Sequence, residues 1–263
     1  MIEEFKIMAQ RFIYPLFFMD DLGGYRFSST MTFVKYKNEN FSIFAAHALP
    51  PTETLINKIG ALKIDGSFMP LSEITKLYTI DRSHDIVICN TTMAIEQKNY
   101  FDLDFNDSTT EFNTDAFGWI GFPKNKAKQQ YHRTKSSAHH IASDVTELDD
   151  GSLKWSNANY LLIGVSLLSL SEVEIKGHFE NKNVTYEKEG FKTQAYSLRG
   201  MSGGALFHGP NKIKTQYPTI NDLYKFAGIG LEHHASDKIV KGASAQVIKN
   251  LIEELLTNQK AST

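Results

Sequence analysis

A single cysteine, Cys89, stands among 263 residues. No disulfide can form within the chain, which excludes a disulfide-stapled secreted fold and points to a reducing compartment. Cys89 lies in an apolar run and reads as a small core residue. An excess of one charge is also lacking. Lys and Arg number 28 and Asp and Glu 30, for a net charge of −2. Such a balance does not favour a polyanion as the main partner, and no nucleic-acid partner is expected. Lys124, Lys126 and Lys128 read as a solvated loop face. Long hydrophobic runs are missing too. Residues 13–19 and 160–170 are too short or too polar to span a bilayer, so no membrane association is expected. The opening Met-Ile-Glu-Glu has no basic leader region or small-residue cleavage site, and the expected location is cytoplasmic.

What the chain does have is short apolar runs at close spacing. Residues 31–36 and 41–46, joined by Lys37-Asn38-Glu39-Asn40, carry a hairpin signal. Further runs occupy 61–64, 74–80, 85–89, 117–122, 161–168, 173–178, 205–208 and 226–231. No strand–helix–strand alternation appears, which argues against a doubly wound α/β fold and for an all-β one. One helix is predicted at the end. Val247, Ile248, Leu251, Ile252, Leu255 and Leu256 form one apolar stripe, with Ser244 as N-cap. The acidic stretch 100–115 reads as a link between two β units. Its carboxylates lack the glycine turn and closing glutamate of a calcium loop.

Gly200-Met201-Ser202-Gly203-Gly204 carries the strongest chemical signal. An acyl-transfer nucleophile needs a hydroxyl on a tight turn and backbone N–H groups aimed at the developing oxyanion. Glycines around a serine permit both. Gly-x-Ser-Gly-Gly arises by chance in roughly one chain of this size in 150. The same residues match the Gly-x-Ser-x-Gly elbow of α/β-hydrolases, but that fold needs βα repeats before the serine and an acid and a histidine after it.

A nucleophilic serine needs a base. His47 ends the apolar run Phe41-Ser42-Ile43-Phe44-Ala45-Ala46, where small residues allow close backbone packing and leave the imidazole facing a cleft. A carboxylate must then orient the imidazole. Asp85 opens the run Asp85-Ile86-Val87-Ile88-Cys89, and Asp81, with more polar neighbours, is its competitor.

Together these stretches resemble the trypsin-like, chymotrypsin-fold serine peptidases. Ala45-Ala46-His47 resembles their Thr-Ala-Ala-His, Asp85-Ile86-Val87 their Asp-Ile/Val-Ala strand, and Gly200–Gly204 their Gly-Asp-Ser-Gly-Gly. The order His, Asp, Ser is that of the chymotrypsin clan. The Gly228-Ile229-Gly230-Leu231 run, and Lys241-Gly242-Ala243 leading into a helix, look most like bacterial HtrA-type and related trypsin-like domains. The resemblance implies two antiparallel six-stranded β-barrels with a C-terminal α-helix. Residues 1–27 would form an N-terminal extension, 28–104 the first barrel, 105–115 the linker, 116–242 the second barrel and 243–257 the helix. It implies His47, Asp85 and Ser202 as catalytic residues. Gly200 and Ser202 would supply the oxyanion hole, Tyr196 would sit at the substrate pocket floor, and Leu231, Glu232 and His233 would line the substrate strand. No cofactor and no metal are implied. His139-His140 and His233-His234 are adjacent pairs whose side chains would point to opposite faces of a strand.

Four positions depart from the family pattern. Phe44 replaces its threonine and Ala48 its disulfide cysteine. Met201 replaces the aspartate that pairs with a newly cut N-terminus, so activation by clipping is not expected and control by a partner or effector protein is. Tyr196 in place of an acidic pocket floor removes any expectation of Lys or Arg specificity. The expected partner is a protein or peptide substrate. The competing reading is a catalytically silent peptide-binding or scaffold module on the same fold. The type of sequence suggests a prokaryotic stress or anti-phage defence setting.

Overall fold

The computed structural model describes residues 5, 8–21, 24–51, 56–62, 67–92, 98–105, 109–124, 145–147, 153–155, 160–179, 185–188, 191–194 and 198–262. The first β unit contains β1 (Ile13–Met19), β2 (Tyr25–Tyr36), β3 (Glu39–Ala45), β4 (Ile59–Leu62), β5 (Phe68–Pro70), β6 (Thr75–Asp81), β7 (Ile86–Thr91) and β8 (Phe101–Asp102). Its sheet runs β5-β4-β1-β2-β3-β7-β6, with β8 pairing β2. Next come β9 (Thr110–Phe112), β10 (Ala116–Gly121), β11 (Val145–Glu147), β12 (Leu153–Trp155), β13 (Leu161–Leu170), β14 (Glu174–His178), β15 (Thr185–Lys188), β16 (Phe191–Gln194), β17 (Gly204–His208), β18 (Pro210–Ile213), β19 (Lys225–His234) and β20 (Ile239–Ser244). Six of these close a barrel in the order β10-β13-β14-β20-β19-β17. With the terminal helix Ala245–Ser262, this is the all-β, chymotrypsin-like architecture expected. The hydrogen-bonded path of the first unit, however, stays open between β5 and β6 and recruits eight strands rather than six.

The boundaries differ from expectation in two places. Residues 1–27 were expected to precede the first β unit, yet β1 lies inside its sheet, between β4 and β2. The physical reason is burial: Ile13 and Leu16 are fully buried and Phe17 nearly so. The expected linker carries β9, which pairs with β18 of the second half.

The predicted hairpin forms with a tighter turn. Tyr36 pairs directly with Glu39, leaving Lys37 (φ 48°) and Asn38 (φ 62°) as a two-residue turn. Two consecutive left-handed residues match the twist of the flanking strands, and asparagine tolerates that conformation better than most.

Two apolar cores result. One fills the closed barrel and includes Phe117, Trp119, Val165, Leu206 and Met201. The larger one runs from the first sheet through Ile120, Phe122 and Phe207 to the terminal helix. That helix buries Val247, Ile248, Leu251, Ile252 and Leu255, each contributing on the order of 2 kcal/mol. Ser244 caps it: its hydroxyl accepts the Val247 N–H at 3.3 Å and donates to the Glu172 carbonyl. Among the described residues no helix is long and apolar enough to cross a membrane.

Candidate active site

The register of β3 against β7 sets the first half of the site. Ala45 pairs with Ile86, so the residue before β7 faces the residues that follow β3. The Ala46 N–H donates to the Asp85 carbonyl at 2.9 Å. The chain then turns through a short 3-10 segment, Ala46–Ala48, which carries His47 out of the sheet. Arg82 pins this segment by donating to the Ala46 carbonyl at 2.9 Å and the Pro50 carbonyl at 3.1 Å.

Asp85 has φ 57°, a left-handed conformation that aspartate adopts at less cost than most residues. One carboxylate oxygen accepts the His47 backbone N–H at 2.8 Å, and the other lies 2.5 Å from His47 Nδ1. This pairing puts the proton on Nδ1 and leaves Nε2 as an acceptor. The hydrogen bond to Asp85 raises the His47 pKa above its ordinary value; partial burial opposes that, and the negative charges of Asp85 and Glu232 add to it. His47 remains half exposed, as a group that must meet a ligand should be.

Asp81 serves another end. Its carboxylate accepts the Ser83 N–H and hydroxyl at 2.8 and 2.5 Å and sits 2.6 Å from His84 Nδ1. Burial pushes its pKa up, but these hydrogen bonds outweigh that and hold it at about 2. Asp81 therefore fixes the 82–85 turn that presents Asp85.

The second half of the site is the turn before β17. The Met201 N–H donates to the Leu198 carbonyl at 3.1 Å and the Gly204 N–H to the Met201 carbonyl at 2.9 Å. Gly203 has φ +84°, and a Cβ there would lie 2.1 Å from the Thr30 carbonyl oxygen. No other residue fits that position without moving β2. Gly200, at φ +95°, is similarly enclosed by Phe27 and the backbone of Phe122 and Lys124. Met201 is fully buried in the barrel core. Among the described residues, no backbone carbonyl accepts from the N–H groups of Gly200 or Ser202.

Two threonines of the first unit grip this turn. Thr30 Oγ1 donates to the Gly200 carbonyl at 3.0 Å and accepts the Phe122 N–H at 2.9 Å, and the Thr30 N–H donates to the Ser202 carbonyl at 3.0 Å. Thr32 Oγ1 donates to the Gly203 carbonyl at 2.8 Å. Sequence reasoning missed Thr30, Thr32 and Arg82. The available signal was Ser29-Thr30 and Thr32 in a strand otherwise rich in buried apolar residues.

Ser202 Oγ does not bond to His47. It donates to the Leu231 carbonyl at 2.7 Å. Leu231, Glu232 and His233 lie on β19 just beyond its last pairing with β17, Gly204 with Gly230. Among the described residues the β17 side of that stretch is therefore an open edge, while its other side pairs with β20. Glu232 bonds His234 at 2.8 Å. His233 packs edge-on against Phe179, and its buried Nε2 has no partner among the described residues; burial and the neighbouring His234 lower its pKa. Tyr196 and the His139-His140 pair lie outside the described residues; among the described residues no group of three or more potential metal ligands gathers.

No family model and no curated protein match the chain. Among solved structures, the scabies mite inactivated protease paralogue S-I1 is similar at 10% identity and a TM-score of 0.47, covering 96% of each chain. At that level the likeness bears on neither residue roles nor activity.

Proposed function

We propose that the chain is a serine endopeptidase with Ser202 as nucleophile, His47 as general base and Asp85 as the group that orients His47. The observation that carries this reading is the double hold of Asp85 on His47, through the ring and the backbone at once. A carboxylate so placed fixes the tautomer a base needs and stabilises the imidazolium that forms when it takes a proton.

The chemistry follows. Ser202 Oγ attacks the scissile carbonyl carbon while its proton passes to His47 Nε2. The oxyanion is met by the N–H groups of Gly200 and Ser202. His47 then gives the proton to the departing amine nitrogen, the C–N bond breaks, and an acyl-enzyme remains. Water repeats the sequence and frees the acid and Ser202. The open edge of β19 at Leu231–His233 suits an extended peptide added as a strand, its backbone pairing with the β19 main chain. No cofactor or metal enters any step. The buried Met201 has no charge with which to hold a new N-terminus, so control is assigned to a partner or effector protein rather than to clipping, in a cytoplasmic setting.

Labelling with a fluorophosphonate probe tests the reading. The wild type should label and Ser202→Ala should not; equal labelling of the two overturns the assignment.

One observation favours a second reading. The Ser202 hydroxyl bonds the Leu231 carbonyl rather than His47, as in a module that binds peptides without cleaving them. Peptide affinity unchanged in Ser202→Ala, with no turnover of proteome-derived peptides by the wild type, would select it.

A further inference from the structure

We propose that the Leu231 carbonyl holds the Ser202 hydroxyl away from His47 until a peptide takes that carbonyl over, so that an extended peptide with a free backbone N–H is what readies the nucleophile. The inference rests on the peptidase reading of the site. A serine hydroxyl has one proton to donate. Here it goes to Leu231, 2.7 Å away, while among the described residues His47 is bonded only to Asp85.

The Leu231 carbonyl can accept because β19 bulges there. Against β20 the register runs Gly230 with Gly242 and then Glu232 with Lys241, which leaves Leu231 opposite nothing. A bulge takes one residue out of the ladder and re-aims its groups. On the other side, β17 ends its pairing at Gly204 with Gly230, and the Gly203 N–H takes the Gly230 carbonyl at 2.8 Å. Leu231 thus offers the first unladdered carbonyl on the open edge. Ser202, in the turn that leads into β17, approaches it from that same edge.

A peptide laid along the edge must bring a backbone N–H to this carbonyl, from the side the hydroxyl occupies. The hydroxyl then loses its acceptor, rotates about χ1 and finds His47 Nε2. No bond is made or broken in this step, and the proton stays on Ser202 until attack. Because Leu231 lies one hydrogen bond from Ser202 Oγ, the N–H in question belongs to the residue bearing the attacked carbonyl. The substrate class is therefore extended peptides with a secondary amide at that position; proline or an N-methylated residue there would bind without releasing Ser202.

The test compares acetyl-Ala-Ala-Ala diphenyl phosphonate with its counterpart N-methylated at the nitrogen next to the phosphorus-bearing carbon. The peptide N–H replaces a hydrogen bond that Leu231 already has, so its loss should barely alter binding. The maximal labelling rate at Ser202 should fall about fivefold to tenfold, the worth of one hydrogen bond, with KI unchanged within about twofold. A KI that rises while the maximal rate holds overturns the release step and leaves the peptidase reading intact. Failure of both phosphonates and of a fluorophosphonate to label Ser202 overturns the peptidase reading and the release step with it.

Discussion

Asp85 receives two hydrogen bonds from His47, one from the ring and one from the backbone N–H. The ring bond is the first cause of the raised His47 pKa. A base works when deprotonated, so activity should rise with pH through a midpoint above the ordinary histidine value of about 6.5. Asp85→Asn should move that midpoint down and cost roughly 10³–10⁴ in kcat. An NMR titration of the His47 ring protons, alongside the pH–rate profile, checks both. An unmoved His47 titration in Asp85→Asn contradicts the assignment.

Thr30→Val keeps the shape of the side chain and removes its hydroxyl. The Gly200 carbonyl loses a donor and the buried Phe122 N–H loses its acceptor. The expected cost is about 2–3 kcal/mol of stability, with slower fluorophosphonate labelling of Ser202 because its turn is less firmly held. Denaturant melts and labelling rates measure the two effects, and a variant as stable as the wild type would remove Thr30 from this role.

Lys98 is buried, donates to the Ile13 carbonyl at 3.0 Å and lies 4.8 Å from the centre of the Tyr14 ring. Burial, helped by the charge of Arg11, lowers its pKa to about 7. The unfolded chain, with an ordinary lysine, binds the proton up to about pH 10.4. Between these values the unfolded state holds more protons, so this residue makes stability rise with pH across that window and withholds it as pH falls to about 7. Lys98→Met should flatten that part of the curve and raise stability at pH 7 by on the order of a few kcal/mol, less what the Ile13 carbonyl loses. Urea melts of both proteins at pH 7, 8.5 and 10 test the sign; a difference that does not change with pH contradicts it.

Cys89 is fully buried, and burial pushes its thiol pKa up to about 12. A thiol reacts as thiolate. The folded protein should therefore not react with Ellman's reagent at pH 8, whereas one equivalent should react in guanidinium chloride. Rapid reaction of the folded protein would place Cys89 elsewhere.

The lines of the fold readable in the sequence were those with local signals. Short apolar runs and turn residues marked β3, β7 and β10 to within a few residues and the second half of β2, and the 3–4 spacing marked the terminal helix. β1 lies in the apolar run 13–19, but its first five residues are all buried, and such a run by itself could equally be a buried helix. β20 escaped because lysine and glycine interrupt a short strand that only its partners make regular. His47, Asp85 and Ser202 stood out through their flanking residues, and the structure brings His47 and Asp85 into contact. The links from Thr30 and Thr32 to the serine turn span some 170 residues. A threonine in a strand carries no mark of so distant a partner. Nor did anything in Gly230-Leu231-Glu232 mark a bulge, since register depends on the strands alongside.

The threonine grip has a consequence for how the molecule fails. The turn bearing Ser202 belongs to one β unit and is tied down by a strand of the other. Heat, a destabilising substitution or a protease cut that loosens β2 would therefore silence the serine while the closed barrel still stands. Loss of function would report the melting of the half of the molecule that does not contain the nucleophile.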